Sequence, residues 1–226
     1  DKGKINAALI VVPNGIKRNW RNELGIHLAD HINYRVGIWS ASPKKKEKEE
    51  LDQLSVMTDE LTVLVMNIEA LSTVHGRDFA KSFLTRNNTL MCVDESTTIK
   101  NHSATRTKNI IKIAELAKYR RIMTGSPVTK SPLDLFSQVQ FLDPWLLEQQ
   151  SYYGFRARYA VIVQRSVGTH SFQHIVKSQR LDELQEKIQH FSTRVLKSDC
   201  LDLPEKVYTK RSVSLTPEQL KAYKEM

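Results

Sequence analysis

The feature that most limits what this chain can become is an alternation. Short apolar, β-rich runs at Ala8 to Val12, Arg35 to Trp39, Thr62 to Met66, Leu90 to Val93 and Arg121 to Thr124 are separated by longer segments. Those segments include Lys17 to His27, a helix opened by Ser42 and Pro43, Ser103 to Leu116 and Pro132 to Leu142, each long enough for a crossover helix. Parallel strands need such crossovers and are buried on both faces, so the pattern predicts an α/β domain with a parallel sheet flanked by helices. Beyond Asp143 and Pro144 the strand signal fades. Helical patterns at Gly154 to Ala160 and Leu181 to His190 predict a mainly helical appendage. A strand-like run, Val207 to Leu215, then leads into a helix over Glu218 to Met226, with Thr216 as N-cap and Pro217 at the first helical position. The expected organisation is a sheet domain over 1–145, an appendage over 146–206, and a strand and helix over 207–226.

The strongest local signal is LMCVDESTTIKN, residues 90–101, an apolar strand that ends in two adjacent carboxylates and turns into a polar loop. A strand end of this kind can present acids to a ligand. Asp94 is placed to hold a hydrated magnesium ion on a nucleotide, and Glu95 to orient and deprotonate an attacking water. A second strand, RRIM, runs into Thr124, Gly125, Ser126 and Pro127. Here Gly125 permits unusual backbone angles, and the two hydroxyls can bridge carboxylates and water near phosphate. A third, LIVV, exits through Pro13, Asn14 and Gly15.

An isolated Val-Asp-Glu or Gly-Ser-Pro is commonplace, but these segments in this order and spacing are specific. From Leu9 to its end the chain resembles the Swi/Snf-type ATPases, the DNA-translocase branch of the superfamily-two helicases. The resemblance implies a first RecA-like motor lobe that couples ATP hydrolysis to movement on duplex DNA with little sequence preference. It makes Asp94 and Glu95 the acids of the nucleotide site, with magnesium held by Asp94 through nucleotide and water. Thr124, Gly125 and Ser126 become the motif linking that site to DNA. The DNA-facing loops correspond to Pro13, Asn14 and Lys17, to Asn67, and to Lys100 and Asn101, whose amides and ammonium groups suit phosphate contacts. Trp20 also fits the pattern, though a Trp on an amphipathic helix is expected to pack in the core. The implied cofactors are ATP and magnesium, and the implied partners are DNA and a second RecA-like lobe.

Two departures matter. Many superfamily-two members carry Ala and His after Asp-Glu. This chain carries Ser96 and Thr97, so an imidazole contact to the Thr-Gly-Ser turn is replaced by a Thr97 hydroxyl bond or the coupling runs differently. No G-x-x-x-x-G-K-[ST] segment occurs in the 226 residues, and Gly3-Lys4 is not one. Asp1 to Ile5 resembles the end of the helix that follows such a loop. With no Met at the start and a helical register at the end, the chain reads as a piece of a longer enzyme, and the piece by itself is expected to be silent towards ATP.

The bulk numbers agree with this reading without requiring it. A net charge of +9 favours a polyanionic partner. Cys92 and Cys200 form no metal-binding pair and point to a reducing, intracellular setting. The run Ala7 to Val12 is too short to span a bilayer. The mixed-sign run Lys44 to Glu50 reads as a solvated helix face. His27 with His31 and His170 with His174 have helical spacing but lack a third ligand. Two other readings stay open: a non-catalytic DNA-binding or scaffold module retaining the lobe fold, and a metal-dependent nuclease using Asp94 and Glu95, for which Asp30, Asp52 and Asp59 offer no convincing further acid.

Overall fold

The computed structural model describes residues 5–56, 58–168, 170–200, 202 and 207–225. Gly3-Lys4 and most of the expected helix end over Asp1 to Ile5 lie outside the described residues. Five strands form the sheet: β1 (Ala7–Val12), β2 (Tyr34–Ile38), β3 (Leu61–Asn67), β4 (Thr89–Asp94) and β5 (Tyr119–Met123). They lie in the order β2-β3-β1-β4-β5, all parallel. From β1 the chain builds outward to β2, returns to β3, and then crosses to β4 on the opposite side. In open α/β sheets ligands are held at such a reversal, outside the carboxyl ends of the strands, which here lies around β1.

Helices α1 (Lys17–His27), α2 (Lys45–Gln53), α3 (Val74–Arg86), α4 (Thr105–Ala114) and α5 (Leu135–Leu142) pack on the sheet. Alternating strand residues serve its two faces. Leu9, Val11, Leu64, Met66, Met91 and Val93 meet Phe83 and Leu84 of α3, Ile110 and Ile113 of α4, and Phe141 of α5 in one cluster. Ile10, Val12, Val63 and Val65 form the other, against Trp20 and Leu24 of α1. Complete burial of one such side chain contributes about 1.5–3 kcal/mol, so the larger cluster dominates the stability of the sheet.

Helix α3 is absent from the elements anticipated above. Its first turn, Val-His-Gly, is poor helix-forming sequence, but the Thr73 hydroxyl accepts from the Gly76 N–H at 3.1 Å and caps it. Gly76 is there for space: a Cβ on it would lie 2.3 Å from the Ala70 carbonyl oxygen.

Packing continues past residue 145, since one compact unit runs to His190. Helix α6 (Tyr152–Tyr159) leads into an antiparallel hairpin, β6 (Ala160–Val167) and β7 (His170–Ser178), followed by α7 (Leu181–Gln189). The appendage is thus helical at both ends but carries at its centre two strands that the sequence reading did not anticipate. Its base is clamped. Glu183 of α7 accepts two hydrogen bonds from Arg158, at 2.7 and 2.9 Å, and one from the Tyr159 hydroxyl at 2.8 Å. Those bonds hold the Glu183 carboxyl below the usual carboxylate range, while burial and Glu183 push the Tyr159 phenol up to about 12.

Residues 191–226 form a second unit. It contains α8 (Lys197–Cys200) and α9 (Pro217–Glu225), the latter started by Thr216, whose hydroxyl accepts from the Gln219 N–H at 3.3 Å. The anticipated strand over Val207 to Leu215 is not formed: these residues are exposed and pair with no strand among the described residues. A strand that pairs with no neighbour leaves its backbone to water, and residues 207–215 have none among the described residues. No helix among the described residues is long and apolar enough to cross a membrane.

Candidate functional site

Four of the five strands deliver a motif to the same edge. β1 ends at Pro13 and Asn14, β3 at Asn67, β4 at Asp94 and Glu95, and β5 at Thr124. Asp94 is half-buried, and both its oxygens are oriented by protein donors. Oδ2 accepts the Trp20 indole N–H at 2.8 Å, and Oδ1 accepts the Glu95 backbone N–H at 2.9 Å. Each carboxylate oxygen keeps a second lone pair. Trp20 therefore does two things: its ring packs on the sheet, as expected, and its N–H reaches across to fix the first acid.

Glu95 has φ +53°, in the left-handed region that is costly for a side-chain-bearing residue. The turn is held because the Glu95 carbonyl accepts from the Thr98 N–H at 3.0 Å and the Thr98 hydroxyl at 2.8 Å. With the backbone turned this way, the carboxylate reaches the end of β5. Its Oε1 accepts from the Thr97 hydroxyl and, at 2.9 Å, from the Thr124 hydroxyl. The hydroxyl contact considered for Thr97 is thus formed, but it ends on the acid itself, and the link to the Thr-Gly-Ser turn is the direct bond from Thr124 to Glu95.

A second bridge runs underneath. The Ser96 hydroxyl donates to Gln138 Oε1 at 2.6 Å, and Gln138 Nε2 donates to the carbonyls of Pro127 at 2.7 Å and Asp134 at 2.8 Å. Ser96 and Gln138 are both fully buried. Nothing in FSQVQF separates Gln138 from its neighbour Gln140; its one signal in the sequence is a polar residue on the apolar side of α5.

Gly125 departs from the expectation. It does not occupy the left-handed region, and a Cβ there would meet nothing within 4 Å. The unusual backbone angle at this site belongs to Glu95. Ser126 is exposed, its N–H donating to the Thr124 hydroxyl at 3.2 Å.

The residues expected to face DNA share the rim, in different states. Asn14 and Asn101 are exposed; Pro13 and Asn67 are half-buried. Asn67 donates to Glu69 at 2.9 Å, and Asn101 accepts from the Ser103 N–H and hydroxyl. Lys17 donates to the Trp39 carbonyl at 3.0 Å, and burial lowers its pKa against the pull of Glu47 and Glu69. Lys100 donates to Thr129 and lies 4.0 Å from Asp134. Burial pushes the Asp134 carboxyl up, but the N–H groups of Lys130 and Thr129, the Thr129 hydroxyl and Lys100 together hold it below its usual range. Lys17 and Lys100 thus brace loops as well as adding charge to the rim.

No group of three or more His, Cys, Asp or Glu able to hold a metal occurs among the described residues, and His27 pairs instead with Glu23 at 3.1 Å. A single oriented carboxylate fits magnesium, which keeps several waters and takes one or two carboxylates plus substrate phosphates. Cys92 is inert: burial and the nearby Asp94 push its thiol up to about 11.

The sequence profile of the SNF2-related domain matches residues 1–226. The chain is 26% identical over 200 residues to the DNA annealing helicase and endonuclease ZRANB3 of Bos taurus, covering 88% of this chain and 17% of that protein. It is 25% identical over 225 residues to the putative ATP-dependent helicase/translocase YwqA of Bacillus subtilis, covering 96% of this chain and 21% of that protein. It therefore spans about a fifth of the length of such relatives. Among solved structures, the Sulfolobus solfataricus SWI2/SNF2 ATPase core in complex with dsDNA matches with a TM-score of 0.59 at 24% identity, over 99% of this chain and 42% of that one. That likeness supports the fold.

Proposed function

The chain belongs to the SNF2-related domain family, and on that premise we propose that it is the first RecA-like lobe of a motor that couples ATP hydrolysis to movement along duplex DNA. The observation that carries this reading is the Glu95 carboxylate, held at the sheet edge by hydroxyls from its own loop and from the end of β5. Magnesium-bound ATP, when present, supplies the electrophilic phosphoryl group and the charge that a lone carboxylate can steady. Asp94, oriented by Trp20 and by the Glu95 N–H, would hold the magnesium ion there. Glu95 acts as general base: with Oε1 occupied by two hydroxyls, Oε2 is the atom that takes a proton from water. Any movement of the Thr124 turn on DNA re-aims that carboxylate, which is a direct mechanical route between the two ligands. No G-x-x-x-x-G-K-[ST] segment occurs in these 226 residues, and the reading requires phosphate-cradling donors and a second lobe in addition to the residues described.

The test is Glu95→Gln in the full-length protein. ATP affinity should stay near normal while DNA-stimulated steady-state turnover falls by roughly two to four orders of magnitude. Turnover within a few-fold of the parent would remove Glu95 from the chemistry, and a parent protein with no DNA-stimulated turnover would favour the scaffold reading.

A further inference from the structure

The hairpin β6–β7 has a composition unlike the rest of the chain. No Asp or Glu occurs between Glu148 and Asp182, whereas Arg156, Arg158, Arg165, Lys177 and Arg180 all fall within that stretch. In the antiparallel register Arg165 lies opposite Phe172 and Val163 opposite His174, so these four side chains share one face. All four are exposed, Phe172 to 46%. A face that combines aliphatic and aromatic groups could meet protein or nucleic acid. Arg158 is spent on Glu183, but the absence of acids over so long a stretch, with Arg165 and Lys177 on the ribbon and Arg156 and Arg180 at its base, selects a polyanion.

The position of the ribbon strengthens the choice. At the start of α6, Tyr152 stacks on His102, ring centroids 3.5 Å apart and planes 11° from parallel. His102 directly follows Lys100 and Asn101. Arg156 of the same helix donates to Gln173 of β7 at 2.6 Å and sits 5.1 Å over the Tyr153 ring. The Gln179 amide N–H donates to the Tyr159 carbonyl at 3.0 Å, closing the base of the hairpin. The ribbon is therefore rooted on the same rim as the loop expected to touch DNA. Eight residues of extended strand reach about 25 Å, and a two-stranded ribbon is narrow enough for the major groove of a duplex.

We infer that the β6–β7 ribbon is a second contact on duplex DNA, separate from the strand-end loops, with Arg165 and Lys177 on phosphates and Phe172 against the groove wall. The inference rests on the function proposed above and adds a site to it.

The experiment is fluorescence anisotropy of a labelled duplex of about 30 base pairs with the full-length protein over a salt series. Compared with the parent, Arg165→Gln combined with Lys177→Gln should weaken binding and make the slope of log affinity against log salt shallower by about two units. Phe172→Ala should weaken binding several-fold with the slope unchanged, because it removes no charge. Unchanged affinity and slope in the double variant, with the parent still binding, would overturn the ribbon contact and leave the proposed function standing. Failure of the parent to bind duplex DNA would overturn both.

Discussion

The parallel sheet and the hairpin are both built from short strands rich in Val and Ile, and they put those residues to opposite uses. In β3, Val63, Leu64, Val65 and Met66 are fully buried, because helices cover both faces of the strand. In β6 and β7, Val163, Ile175 and Val176 remain exposed, because the hairpin is packed only at its root and a two-stranded ribbon has no core of its own. Strand-forming residues give a strand in either setting. Whether they stabilise the fold or offer a surface to a partner depends on what covers them.

The sharpest way to break this contrast is a matched pair of truncations. Phe83→Ala opens a cavity in the larger cluster and should cost about 3–5 kcal/mol, whereas Phe172→Ala should change stability by less than about 0.5 kcal/mol. Urea unfolding followed by circular dichroism measures both, and comparable losses would mean that the hairpin is as integral as the sheet. A smaller effect sharpens the sheet side. Gln138→Leu strands the buried Ser96 hydroxyl and the Pro127 carbonyl and should cost about 1–3 kcal/mol. Adding Ser96→Ala should return part of that loss, since the hydroxyl left without an acceptor is gone. Additive losses would show that the two side chains act independently. Smallest of all, Gly125→Ala should leave stability within about 0.5 kcal/mol of the parent, because its Cβ meets nothing and no left-handed backbone is required. A larger loss would restore the conformational role that the sequence assigns to this glycine.

The same contrast explains how much could be read beforehand. The inner strands β1, β3 and β4 were legible because burial on both faces demands apolar runs. The edge strands β2 and β5, which carry Arg35, Arg120 and Arg121, were legible through their place in the alternation, and α1 because its apolar stripe must face the sheet. The acids and the Thr-Gly-Ser turn were legible because strand ends point to one edge. The hairpin was not: Val161 to Val167 and Phe172 to Val176 mix polar and apolar residues with no clean period, and the turn at Gly168 between them is a weak signal. Gln138 and the indole contact of Trp20 were hidden for another reason. Their partners are 42 and 74 residues away, and only the assembled sheet brings them within hydrogen-bond distance.

The exchange of a histidine for Thr97 has a consequence in proton chemistry. An imidazole beside the acid pair would change charge between about pH 5 and 8, and any bond it made to the Thr-Gly-Ser turn would change with it. The two hydroxyls on Glu95 Oε1 are donors that stay neutral over that whole range. The donor that ties Glu95 to the turn after β5 therefore has no charge to gain, and acidification of the surroundings leaves it unaltered.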